Sequence, residues 1–121
     1  MINELKHNEI FIFGSNLCGA HGGGAARQAC DQFGAKWGIG EGLTGQCYAF
    51  PTLDEYHEKI DKLQLLKSRD KLYETCKSLP EKTFLLTSVG TGIAGFTHEY
   101  MKEIFISQVT PENLILPEEW K

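Results

Sequence analysis

The sequence predicts an α/β fold in three layers, a mostly parallel sheet with helices on both faces, and three observations carry that expectation. Short apolar runs alternate with longer segments of helical spacing. Each of the first three runs ends at a glycine or a proline. The glycines are also segregated: ten of thirteen lie between Gly14 and Gly45, three more are Gly90, Gly92 and Gly95, and none falls from Gln46 to Val89. Glycine weakens helices and strands through conformational entropy, so the glycine-free stretches should hold the regular structure.

Taken in order, Glu9–Phe13 (EIFIF) is an almost wholly apolar run ending at Gly14, which suits a strand buried on both faces. Gly22–Phe33 carries Ala25, Ala26, Ala29, Cys30 and Phe33 as one helical stripe. Gln46–Phe50 (QCYAF) reads as a second strand stopped by Pro51. Thr52 to Glu55 matches a capping box, so a helix is expected there with Tyr56, Ile60, Leu63 and Leu66 on one face. A further segment, Ser68–Leu79, repeats the pattern with Leu72, Cys76 and Leu79; the spacing fits one helix or two. Thr83–Val89 is the third strand, Thr97 an N-cap for a helix bearing Tyr100, Met101, Ile104 and Phe105, and Asn113–Leu116 a last short strand. The β-α-β order implies right-handed crossovers.

At 121 residues the chain has room for one domain, spanning 1–121, and a core that folds without metals or disulfides. The balance of 12 basic and 16 acidic residues, net charge −4, disfavours direct nucleic-acid binding. Its densest basic stretch, Lys59 to Lys71, is interrupted by Asp61 and Asp70 and reads as a solvated helix face. No apolar run approaches the ~20 residues that span a bilayer. The N-terminus lacks a hydrophobic signal stretch, so a cytoplasmic protein with no membrane contact is expected. Cys18, Cys30, Cys47 and Cys76 form no CxxC pair, so free thiols are expected, with no metal or cofactor.

In open α/β sheets ligands bind at the C-terminal ends of the strands. Strand one runs into Gly14–Gly24 and strand three into Gly90–Phe96, and eight glycines lie in these two loops. Each loop leads towards a helix N-terminus, whose unpaired N–H groups and partial positive charge suit phosphate. A tight strand-to-helix turn explains either loop alone. Two of them at equivalent strand ends favour a diphosphate cradle. Neither loop has Walker or dinucleotide-fingerprint spacing.

Phe13-Gly14-Ser15-Asn16, followed by Gly22-Gly23-Gly24-Ala25-Ala26, resembles the Asn-Ala-Ala-Asn-like segment and glycine triplet of the macro domains. Gly90-Thr91-Gly92-Ile93-Ala94-Gly95-Phe96 resembles that family's second glycine loop. Phe33-Gly34 is similar to the terminal ADP-ribose glycohydrolase branch, and Phe33–Thr52 to short macro-like proteins of phages and prophages. The resemblance covers roughly Glu9–Pro117 and implies a macro-like fold that binds ADP-ribose or a related NAD-derived nucleotide diphosphate, free or carried on an ADP-ribosylated protein. It implies contacts from Ser15 and Asn16, with Asn16 facing the distal ribose. His21, Gly22, Gly23 and Gly24 would follow on one side of the ligand, with Gly90, Thr91, Gly92, Ile93, Ala94 and Gly95 on the other and Phe96 beside the ribose. The chain departs from the family's hydrolases by having Ala25 and Ala26 after the triplet and Ala94 in the second loop, where those enzymes carry an aspartate. The family's acidic reader of the adenine amino group sits upstream of strand one, and only Glu4 and Glu9 could fill that role here. A binding module is thus favoured over an ADP-ribosyl glycohydrolase with non-standard catalytic residues. A Rossmann-like nucleotide-binding fold is the second alternative.

Single residues carry less. His21, beside the triplet, suits phosphate contact or acid–base work, though a loop histidine is more often a turn residue. Glu41, between Gly40 and Gly42, is the carboxylate able to replace the missing aspartates, against the plainer reading of a surface glutamate. Cys18 is a nucleophile only beside a basic neighbour or a helix end. Trp37 and Tyr48 suit base stacking or, more commonly, core packing.

Overall fold

A computed structural model describes residues 2–121. Strand β1 is Glu9–Asn16, helix α1 Gly24–Phe33, strand β2 Gly42–Thr44, strand β3 Cys47–Leu53 and helix α2 Lys62–Ser78. Strand β4 is Thr83–Leu86, helix α3 His98–Ile106 and strand β5 Leu114–Ile115, with a 3₁₀ turn at Glu118–Trp120. The strands form one sheet in the order β2-β3-β1-β4-β5. β1 pairs in parallel with both β3 and β4, and β4 with β5; β2 alone runs antiparallel, against β3. The fold is α/β with a mostly parallel sheet, as the alternation of apolar runs and helical stripes predicts.

Alternation along the central strands divides the core in two. Phe11 and Phe13 of β1, with Cys47 and Ala49 of β3, face Ala26, Ala29 and Phe33 of α1. Ile10, Ile12, Tyr48, Phe50, Phe84 and Leu86 face the other way, onto Leu65, Leu72 and Cys76 of α2 and Met101, Ile104 and Phe105 of α3. Burying each large side chain contributes about 1.5–3 kcal/mol. β1 is therefore fixed from both faces and both edges. Trp120 closes the second core against Phe105, with ring centroids 5.7 Å apart, and its indole N–H donates to His98 Nδ1 at 3.0 Å.

Three sequence expectations are corrected. Pro51 does not stop its strand: β3 continues to Leu53, and Pro51 pairs with Ser15. The β2–β3 pairing ends at Gly42 and Ala49, so Pro51 lies beyond its last rung and its missing N–H interrupts no bond there. Thr52 is no helix cap. It is a buried strand residue, and Asp54 instead folds the chain back by accepting from the N–H groups of Tyr56 (2.8 Å) and Glu58 (3.0 Å). The helix starts nine residues later than the capping box implies, capped by Asp61, whose side chain accepts from Gln64 N–H at 2.9 Å. It then continues unbroken to Ser78.

That helix also differs in the face it buries. Leu65, Ser68, Arg69, Leu72, Tyr73 and Cys76 point inward, whereas Tyr56 and Leu63, expected on the apolar stripe, are exposed. Arg69 is no solvated residue of a basic face: its guanidinium donates to Ile104 O and Ser107 Oγ, both at 2.9 Å, and pairs with Asp70 at 2.7 Å. β4 ends at Leu86 rather than Val89, where the Thr87 hydroxyl donates to Ile12 O at 2.8 Å and turns the chain. The last strand is confined to Leu114–Ile115. β2 was not anticipated, being too short and glycine-flanked to show a period. Among the described residues no helix is long and apolar enough to cross a membrane.

All four thiols are free. Burial pushes Cys47 and Cys76 from an ordinary value of 9.0 up to about 12, and Tyr48 from 10.0 to about 12. A group whose folded pKa is raised contributes its stability in full below its unfolded value and loses it as pH climbs towards the folded one. Thermal melts should accordingly show a Tm that is steady through neutral pH and falls progressively above about pH 9. A Tm that held or rose from there to about pH 11 would mean that burial does not raise these groups above their unfolded values.

Candidate functional site

The parallel register delivers the ends of β1, β3 and β4 to one edge of the sheet. There they surround a cavity of about 750 Å³, a size suited to a nucleotide. Gly14, Ser15 and Asn16 form its floor with Thr52 and Leu53; Gly22–Ala26 open α1 on one side; Thr87–Ala94 form the other. The two glycine loops approach closely at the base, where a Cβ on Gly14 would stand 3.4 Å from Gly90 N. At Gly23, Gly24 and Gly92 a Cβ would meet no protein atom within 4 Å. Those glycines front open space.

The backbone, rather than charged side chains, supplies the polarity. Helix α1 begins at Gly23 without a side-chain cap and without an acidic residue in its first turn, whereas Asp61 and Thr97 cap α2 and α3. Its first N–H groups are therefore left for a ligand or water. In the second loop Gly95 N–H donates to Gly92 O (3.0 Å) and Phe96 N–H to Gly90 O (2.9 Å), which curls Gly92, Ile93 and Ala94 around the opening. The buried Ser88 hydroxyl on the same wall has no partner among the described residues. Among the described residues no Lys, Arg, Asp or Glu lines the cavity, and His57 is the one histidine that does.

Of the residues singled out from the sequence, Ser15, Asn16, Gly22–Gly24, Gly90–Gly92, Ile93 and Ala94 meet at this cavity, as does Trp37. Two of these have side chains already engaged. The Ser15 hydroxyl donates to Gly40 O, and Asn16 staples its own loop, its Oδ1 accepting from Ala20 N–H at 2.9 Å and its Nδ2 donating to Ala20 O at 2.8 Å. Asn16 as a ribose reader is thus restricted to one remaining N–H.

His21, Gly95, Phe96, Glu41 and Tyr48 are not among the lining residues. His21 is buried in the wall, edge-on to Phe13 with ring centroids 5.2 Å apart, and its Nε2 donates to Ile39 O at 3.0 Å. It ties the first loop to the 36–40 segment. Phe96 stacks on Tyr100 at 5.2 Å beneath Lys59, outside the cavity. Glu41 pairs with Lys71 of α2 at 3.7 Å, and Tyr48 is a core residue of the same face. Glu41 is therefore engaged with α2 and stands apart from the cavity lining.

Sequence reasoning missed His57 and Ser88. The signal for His57 was present: an Asx turn at Asp54 competes with the capping box, and it delivers His57, at φ +62°, to the mouth. Cys18 lies there too, its Sγ 3.0 Å from Asn16 Oδ1 and 3.5 Å from His57 Nε2. Comparison with protein-family models, curated protein sequences and solved structures finds no match.

The placement of Glu41 has a direct test. Because its partner Lys71 is solvent-exposed, Glu41→Gln should alter stability by no more than about 1 kcal/mol. If the cavity takes ADP-ribose, as the sequence resemblance implies, calorimetric affinity for it should equal that of the wild type. A marked loss of affinity in a variant that still melts normally would return Glu41 to the site.

Proposed function

We propose that the protein binds ADP-ribose or a closely related NAD-derived nucleotide diphosphate in this cavity, as a binding module. The observation that carries the proposal is the convergence of two glycine loops on one opening, with the uncapped N-terminus of α1 on one side and the Gly92–Ala94 arch on the other. Such an arrangement holds a diphosphate by backbone N–H groups and helix dipole, which an acidic protein can do without a lysine. The macro-domain resemblance of both loops supports the same ligand. Trp37, more than half exposed at the rim beside Gly22, offers an aromatic face for a base.

The absence of a carboxylate from the lining favours binding over hydrolysis. General-base assistance is typically worth roughly 10²–10⁴-fold, and neither Glu41 nor Asp31 is placed to give it. ADP-ribosylated proteins then serve as partners to be recognised rather than as substrates to be hydrolysed.

Gly92→Val separates the ligand from the scaffold. A Cβ at Gly92 meets no protein atom, and its φ lies outside the left-handed region, so the variant should fold with an unchanged Tm. The valine side chain would occupy the space in which phosphate meets the arch, and calorimetry should register at least a ~10-fold loss of ADP-ribose affinity, about 1.4 kcal/mol. Unchanged affinity would reduce the loop to a turn.

A further inference from the structure

We infer that Cys18 and His57 form a nucleophile and its base at the mouth of the cavity, and that they take a ribosyl group from an N-ribosylpyridinium dinucleotide such as NAD⁺. The inference rests on the nucleotide-diphosphate reading of the cavity and adds a reactive group to it.

The two residues lie 39 positions apart in sequence, on different loops, and are brought to 3.5 Å, Sγ to Nε2. Each loop is independently fastened. Asn16 pins the Cys18 loop through Ala20 N–H and O, and Gly38 N–H donates to Gly19 O at 2.9 Å. Asp54 pins the His57 loop through the N–H groups of Tyr56 and Glu58, and Asp54 N–H donates to Glu58 O at 2.8 Å. Cys18 is exposed and is not itself a lining residue, but Asn16 and Ala20, two positions away on either side, and His57 all line the cavity. The sulfur therefore stands at the entrance with two acceptors, Asn16 Oδ1 and His57 Nε2, within reach of its proton. A thiol paired with an imidazole at hydrogen-bond range is the arrangement that activates a sulfur nucleophile.

The other thiols lack these features. Cys47 and Cys76 are buried in the two cores, and Cys30, on α1, is held above its ordinary value by burial and by the neighbouring Asp31. With the diphosphate between the glycine loops, the distal ribose has the cavity mouth as its way out. His57 Nε2 takes the thiol proton, and the sulfur electron pair forms a bond to the anomeric carbon. The C–N glycosidic bond breaks with its electrons passing to the pyridinium nitrogen, so nicotinamide leaves neutral. The proton then passes from His57 to solvent. With no carboxylate in the lining to activate water, the S-linked product should accumulate rather than turn over.

The full chain incubated with NAD⁺ should gain the mass of one ADP-ribosyl group, release one nicotinamide per adduct, and carry the adduct on Cys18. Cys18→Ala should gain none. His57→Ala should react at least roughly 10²-fold more slowly and recover on addition of free imidazole, a rescue that a purely structural role for His57 would not give. No adduct, an adduct on another thiol, or an unchanged rate in His57→Ala overturns the inference. ADP-ribose calorimetry on Cys18→Ala tests the underlying reading separately: retained binding upholds the cavity assignment whether or not the adduct forms, and lost binding in both this variant and wild type defeats it.

Discussion

The double pairing of β1 is the constraint on which the rest of the molecule depends. Its backbone is hydrogen-bonded to β3 on one edge and to β4 on the other, both in parallel, and its side chains are buried on both faces. A one-residue slip would send Phe11 and Phe13 into the α2–α3 core and Ile10 and Ile12 into the α1 core. The register is therefore held by two differently shaped packing environments at once. Because all three strands run the same way, holding it also fixes where they end. The cavity is the common terminus of the sheet's three central strands, and its floor inherits their rigidity.

Much of this was legible in the sequence, and what was not has identifiable physical causes. β1, α1, β4 and α3 are legible because their apolar periods are uncompromised, with Gly34 closing α1 and Thr97 capping α3, although β1 runs on through Gly14 to Asn16 and β4 stops at Leu86, short of Gly90. The 52–61 region was misread because two local signals competed there. Thr52 and Glu55 spell a capping box, but the pairing of Pro51 with Ser15 and of Leu53 with Asn16 holds Thr52 in the sheet, where its hydroxyl donates to Ser15 O, and Asp54 takes over the local backbone donors. The buried face of α2 was obscured by Ser68 and Arg69, polar residues that a hydrophobic pattern discards. Arg69 is inward because Ile104 O and Ser107 Oγ satisfy it there. Both glycine loops were found from composition alone. The turn at Asp54 that carries His57 is legible locally, but the 3.5 Å approach of His57 to Cys18, 39 residues away, is encoded by no local pattern.

The site's electrostatics follow from the same economy of side chains. A chain with a net charge of −4 repels anions at long range, so an anionic ligand must be held by short-range, oriented dipoles. On the proposed reading, the uncapped start of α1 and the main chain of the Gly92–Ala94 arch would supply them, with Gly23, Gly24 and Gly92 fronting open space. Recognition of this kind is less sensitive to salt than a lysine cluster would be, and it is set by backbone shape.

Backbone shape at the mouth is itself locked in an unusual way. A Cβ on Gly19 would fall 2.4 Å from the Gly38 carbonyl carbon, and one on Gly40 would fall 2.4 Å from Asn16 O, so two loops lie main chain against main chain. No side chain separates them. Leu17, Cys18, Trp37 and Ile39, carried on these same loops, are exposed and outside the contact that joins them. Scaffold and rim chemistry are thus separable: side chains at those four positions can be varied combinatorially on one invariant frame, which makes the mouth a natural place to change what the cavity admits.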